Sequence, residues 1–95
     1  MNILTDQEAL DALRMEPGQI DELVSLHNAM ATSYVDSRTG FQWEKCNPID
    51  KEAKLCATYV LMRDFFHDKD HDFSYAISDL ITELQMKAKA LGGNR

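Results

Sequence analysis

Basic residues are scarce in this chain: ten Lys and Arg stand against sixteen Asp and Glu, a formal net charge of −6. A tight grip on a phosphate backbone is built from clustered Lys and Arg, so this balance argues against a sequence-reading nucleic-acid binder. An acidic wall can still surround DNA without holding it. Cysteine is nearly absent as well. Cys46 and Cys56 are too few for a disulfide framework and give only half of the four ligands a structural zinc needs, so both are expected as reduced thiols, one at a loop end and one in the core. No apolar run approaches the roughly 20 residues that span a bilayer, and MNILTDQEAL lacks the basic and apolar regions of a signal peptide. No membrane association is expected, and the chain is read as acting in the cytosol or being assembled there. Nucleophile elbow, phosphate-binding glycine loop and zinc-protease motif are all missing, and Ser25, Ser33, Ser37, Ser74 and Ser78 have no evident arrangement with His. The chain is read as a non-enzyme without a cofactor, working through its surfaces.

What is present is helical periodicity. At 95 residues the chain makes one domain, 1–95, with a modest core. The segment Asn47 to Phe66 carries apolar residues on most of its circumference: Ile49, Ala53, Cys56 and Val60 in one stripe, Leu55, Tyr59, Met62 and Phe66 in a second, and Ala57, Leu61 and Phe65 beginning a third. It is expected to be the central helix, with Asn47 as cap, Pro48 in the first helical position and Asp50 facing the positive dipole end. Thr5 and Glu8 form a capping box for a short helix that turns Ala9, Leu10 and Leu13 inward and stops before Pro17-Gly18. A second helix is expected from near Gln19 to near Arg38, with Asp21 and Glu22 in its first turn. Its inward positions are read as Ile20, Leu23, Val24, His27, Met30, Ala31, Tyr34 and Val35, and Gly40 as its left-handed terminator. A last helix, about Phe73 to Leu91 with Ser74 as cap, turns Ile77, Leu80, Ile81, Leu84, Ala88 and Leu91 inward and ends at Gly92-Gly93. The expected fold is an all-α four-helix bundle with short loops.

Four features invite a functional reading. Asp68, Asp70, Asp72 and Asp79 mimic the 1, 3, 5 and 12 ligand spacing of a calcium loop, but Phe73 stands where the sharp turn needs Gly and Ala76 where an oxygen ligand belongs. A solvated acidic turn is the plainer reading, and His67 with His71 is a weaker zinc pair still. His27 lies on an apolar stripe, as a ligand or base, or as a buried ring bonded to a backbone carbonyl. The loop FQWEKC, with Phe41 and Trp43, either folds back over the bundle end or offers a contact surface. The segment 85–95 adds Met86, Ala88, Ala90 and Leu91, with Lys87, Lys89 and Arg95 as the one basic cluster. It is read as a docking tail for an acidic partner, or as lysines satisfying a helix C-terminus.

The order of these signals resembles the head-tail connector (adaptor, or head-completion) proteins of long-tailed bacteriophages. A short leading helix, Asp6 to Leu13, precedes an acidic-start helix from Asp21 with Ala31, Tyr34 and Val35 before Thr39-Gly40; then come Pro48, the helix Ala53 to Arg63, and Ala76 to Leu84. The chain departs from the pattern at Asp64-Phe65-Phe66 and in continuing through Gln85 to Arg95. The resemblance implies a virion protein assembled in the host cytoplasm. Its copies would form a homo-oligomeric ring, a dodecamer, under the portal protein, extending the DNA channel toward the next connector or tail protein. DNA would pass without sequence-specific binding. It makes the portal rim the partner for the tail, with Phe41, Trp43, Lys87, Lys89, Leu91 and Arg95 as interface residues. The alternatives are an EF-hand-like calcium module and a small phage or bacterial regulator that binds one host protein.

Overall fold

The computed structural model describes residues 1–15 and 22–92, in which α1 (Asp6–Leu13), α2 (Glu22–Thr39), α3 (Lys51–Phe66) and α4 (Ser74–Ala90) follow one another with no strand. Short 3-10 turns at Trp43–Lys45 and Lys69–His71 join the last three helices. The chain is a small all-α four-helix bundle. Pro17-Gly18, the expected start of α2 at Gln19 to Asp21, Gly93 and Arg95 lie outside the described residues.

Local signals account for most helix ends. The Glu8 amide donates to Thr5 Oγ1 at 3.1 Å and the Thr5 amide to Glu8 Oε1 at 2.9 Å, which is the capping box the sequence spells. Gly40 closes α2 at φ 71°, a conformation that a side chain would oppose. Two starts differ from expectation. α3 begins at Lys51, after a cis Asn47-Pro48 bond, so Asn47 is not its cap and Pro48 is not its first residue. The cap is Asp50, whose Oδ1 accepts from the amides of Glu52 at 2.8 Å and Ala53 at 3.2 Å; an ionised acceptor at the dipole's positive end makes these strong bonds. Nor does Ser74 cap α4. Phe73 holds that position at φ 53°, its ring against Tyr59 with centroids 4.8 Å apart, while Ser74 Oγ donates to Asp72 Oδ2. Ring packing decides that corner.

α3 is central as expected: it packs against α1, α2 and α4, and Ala53, Cys56, Ala57, Val60 and Leu61 are sealed from solvent. Its apolar girdle is only partly covered, with Leu55 at 44 % exposure and Tyr59, Met62 and Phe66 half-buried. α4 buries Ile77, Ile81, Leu84 and Ala88, whereas Leu91 is exposed. The stretch beyond Leu84 is part of the bundle through Ala90. Ala88 is fully buried, Gln85 Nε2 donates to the Arg38 carbonyl at 2.7 Å, and Lys87 Nζ reaches Asp50 Oδ2 at 3.1 Å and also Glu52 Oε1.

α2 departs furthest from its expected face. Leu23 and Met30 point outward, and Val24, Asn28, Ala31, Thr32, Val35 and Thr39 point in. The polar residues inside meet segments without helical hydrogen bonds. Ahead of α1, Ile3 and Leu4 run as a buried strap: the Ile3 amide donates to Thr32 Oγ1 at 2.9 Å, and Asn28 Nδ2 donates to the Leu4 carbonyl at 3.1 Å. A buried backbone group without such a partner would cost about 1–3 kcal/mol.

Candidate interaction surface

The outward face of α2 is the most unusual surface of the molecule. Between Glu22 and Asp36 the helix carries no Asp, Glu, Lys or Arg, although a surface helix normally turns charge to water. Leu23, Leu26 and Met30 are 53, 56 and 47 % exposed. With Ser33 and Ser37 they step at intervals of three and four, the seam pattern by which two helices pack together. Toward the C-terminal end the seam passes into a shallow, open groove on α2 lined by Ala29, Met30, Ser33, Tyr34 and Ser37. Small side chains there let another helix approach closely.

Beside the groove, the α2–α3 corner is built on Trp43. Its ring is fully buried and Nε1 donates to Thr39 Oγ1 at 2.8 Å; that hydroxyl in turn donates to the Val35 carbonyl. Of the two readings of the FQWEKC loop, Trp43 takes the fold-back one, because indole area and a satisfied N–H both favour the interior. As a core residue it cannot serve as a contact residue in this conformation. Phe41 lies against it with centroids 4.6 Å apart, half-buried, and lines an open cleft with Ser33, Asp36, Ser37, Gly40, Gln42 and Glu44. Asp36 Oδ1 accepts from the Trp43 amide at 3.2 Å. Burial, then the hydrogen bond and charge of Glu44, raise the Asp36 carboxyl to about 7.

Positive charge gathers on the other flank of α2. The guanidinium of Arg38 lies 4.2 Å and that of Arg63 4.9 Å from the Tyr34 ring centroid. Burial alone would raise the Tyr34 phenol, but hydrogen bonds from Arg63 and Arg38 outweigh it and bring the phenol below its ordinary value. Arg63 Nε is also paired with Asp64 at 2.9 Å, whereas Arg38 has no carboxylate partner among the described residues. Arg38 shares a second cleft with Gln85 and Lys89.

The other residues singled out in the sequence fall as follows. Asp68 caps the second 3-10 turn, accepting from the His71 amide at 3.0 Å and meeting His71 Nδ1 at 2.6 Å, and Asp72 is engaged by Ser74. Among the described residues no group of three or more His, Cys, Asp or Glu side chains is placed to hold a metal ion, so Asp68, Asp70, Asp72 and Asp79 are not drawn together. Within the turn, hydrogen bonds take Asp68 Oδ1 and Asp72 Oδ2. His27 packs edge-on against Phe65 at 5.6 Å, and its buried Nδ1 has no hydrogen-bond partner among the described residues, so none of these makes the expected carbonyl bond to that nitrogen. Burial raises the Cys56 thiol to about 11, which makes it an inert core residue. Lys87 is raised by Glu52 first and Asp50 second, a clasp between α4 and the start of α3. Lys89 and Leu91 are exposed. Thus Phe41, Lys89 and Leu91 reach the surface, Lys87 is engaged within the bundle, and Arg95 lies outside the described residues. The reading of the sequence missed Leu26 and the neutrality of the outer α2 face, although the charge-free span was there to be seen.

No family model, no curated protein and no solved structure matches this chain.

Proposed function

We propose that this chain is a non-enzymatic structural protein of a long-tailed phage virion: a head-tail connector subunit whose copies form a ring, a dodecamer, beneath the portal protein. The observation that carries the reading is the exposed, uncharged seam of α2 on an otherwise acidic bundle. Such a face is unfavourable to leave in water and marks a surface that meets another protein chain. The order of helices and the Thr39-Gly40 and Pro48 signals support the same reading. A ring needs two unlike side surfaces that fit one another. Besides the α2 seam, Tyr75 and Met86 on α4 are 90 and 68 % exposed and supply apolar area elsewhere. The charge of −6, repeated around a ring, would keep DNA from adhering to the channel wall. Lys89 and Leu91 remain candidates for the contact with the portal rim.

The test is assembly. Purified protein added to portal-bearing, DNA-filled heads that lack their connector should bind and make them competent to accept the next connector or tail protein. Rings should be visible by electron microscopy of the products. Heads that neither bind the chain nor become tail-competent would overturn the reading, and capture of one host protein in equimolar amount would favour the regulator instead.

A further inference from the structure

We infer that the junction between α2 and α4 is a docking site for an acidic peptide segment of a partner protein, with Arg38 as the residue that takes its carboxylate. The inference goes beyond the connector reading and does not rest on it. Two clefts meet at Arg38. One reaches toward the start of α4 and is lined by Tyr34, Arg63, Ser74 and Ser78 over the core residues Ile77 and Ile81; the other runs toward its end, to Gln85 and Lys89. Gln85 ties the helices where the clefts meet, donating to the Arg38 carbonyl at 2.7 Å. The chain holds sixteen acidic residues, yet among the described residues no Asp or Glu lines either cleft. Arg63, Arg38 and Lys89 thus mark a track of cations and neutral side chains on a molecule of net negative charge.

Tyr34 is the platform of this track. Its ring holds the guanidinium of Arg38 at 4.2 Å and that of Arg63 at 4.9 Å from the centroid, and a cation attracted by a ring face keeps N–H donors for other partners. Arg63 is already compensated, since its Nε meets Asp64 at 2.9 Å. Arg38 and Lys89 have no ion-pair partner among the described residues. A carboxylate is the complement of Arg38 in both charge and shape, because its two oxygens match the planar fork of a guanidinium. Holding a long side chain over Tyr34 beforehand also lowers the entropy cost of the contact. Length selects a peptide. From Ser74 to Lys89 α4 rises about 22 Å, which is the length of roughly six or seven extended residues. Such a segment can set acids at Arg38 and Lys89 and neutral residues along Ser74, Ser78 and Gln85. A nucleic-acid strand carries a charge at every residue, and it would meet Asp72 beside Ser74 and the acidic body beyond the groove.

The probe is a fluorescein-labelled heptapeptide of alternating Gly and Glu, titrated with the full chain at low salt and followed by fluorescence anisotropy. Binding should saturate and weaken as salt is raised. Arg38→Ala should lower the affinity about tenfold, Arg38→Lys, which keeps the charge and loses the fork, about threefold, and Lys89→Ala about threefold. Lys51→Ala removes the same charge from an exposed site outside both clefts and should leave the affinity unchanged. All these side chains are exposed, so every variant should keep the far-UV circular dichroism of the wild type. No binding at low salt, an equal loss in Lys51→Ala and Arg38→Ala, or equal binding of the same labelled peptide with Gln in place of Glu would each overturn the inference. So would displacement by inorganic phosphate or a single-stranded oligonucleotide at lower concentration than by the unlabelled peptide, which would assign Arg38 to a phosphate ligand.

Discussion

The two sides of α2 are reversed in character. Its inner side carries Asn28, Thr32 and Thr39 at 0, 6 and 5 % exposure, while its outer side leaves Leu23, Leu26 and Met30 about half in water. The difference shows that burial is decided by what lies opposite. The inner side faces a strap and a 3-10 turn whose backbone and indole groups need partners, and hydroxyls and an amide supply them. Among the described residues nothing covers the outer side, and its apolar residues stand in water.

Breaking the inner side at Trp43 has the largest expected effect. Trp43→Ala removes a sealed indole and should cost about 3–5 kcal/mol, comparable to the whole stability of a small domain, so urea unfolding should begin without denaturant. A midpoint within experimental error of wild type would show that the corner does not hold α2 to α3.

Next comes Asn28→Leu, which enlarges apolar content but leaves the Leu4 carbonyl buried without a donor. A loss of about 1–3 kcal/mol is expected in chemical denaturation. If the leucine stabilises the fold instead, the strap does not depend on that bond.

Asp36 sharpens the contrast through pH. Its carboxyl rises from an ordinary 3.8 to about 7 in the folded chain, chiefly by burial and then by Glu44, so the folded state binds the proton more tightly than the unfolded one. The favourable contribution is complete below the unfolded value and is lost as pH rises toward about 7. Asp36→Asn keeps an acceptor for the Trp43 amide and removes the titration. It should melt several degrees above wild type at pH 8, with the gap closing as the pH falls toward 5. Glu8 and Asp50 work in the opposite sense, since hydrogen bonds and Lys54 or Lys87 overcome burial and lower both carboxyls, so only the difference between variant and wild type isolates Asp36. A constant gap across pH would show that Asp36 does not titrate in this range.

The smallest effect belongs to the outer side. Leu26→Ser, measured in dilute protein, should change stability by no more than about 0.5 kcal/mol, because a residue 56 % exposed has little to lose. A loss as large as that of Asn28→Leu would mean that Leu26 is part of the core.

By itself the sequence determined what is settled within a few residues. The Thr5–Glu8 capping box, the Gly40 terminator, the apolar girdle that makes α3 central and the Ile77–Ile81–Leu84–Ala88 stripe of α4 all rest on hydrogen bonds and helical spacing over one or two turns. They are legible because partner and signal lie side by side in the chain. Tertiary structure alone decided which side of α2 faces inward, through bonds that join residues 24 and 29 positions apart, from Asn28 to Leu4 and from Ile3 to Thr32. It also decided that Asp50 rather than Asn47 caps α3, that Trp43 is core rather than contact surface, and that Lys87 is engaged within the bundle. Periodicity tells that a helix has two sides; only the groups brought against it from elsewhere in the chain determine which side each residue needs.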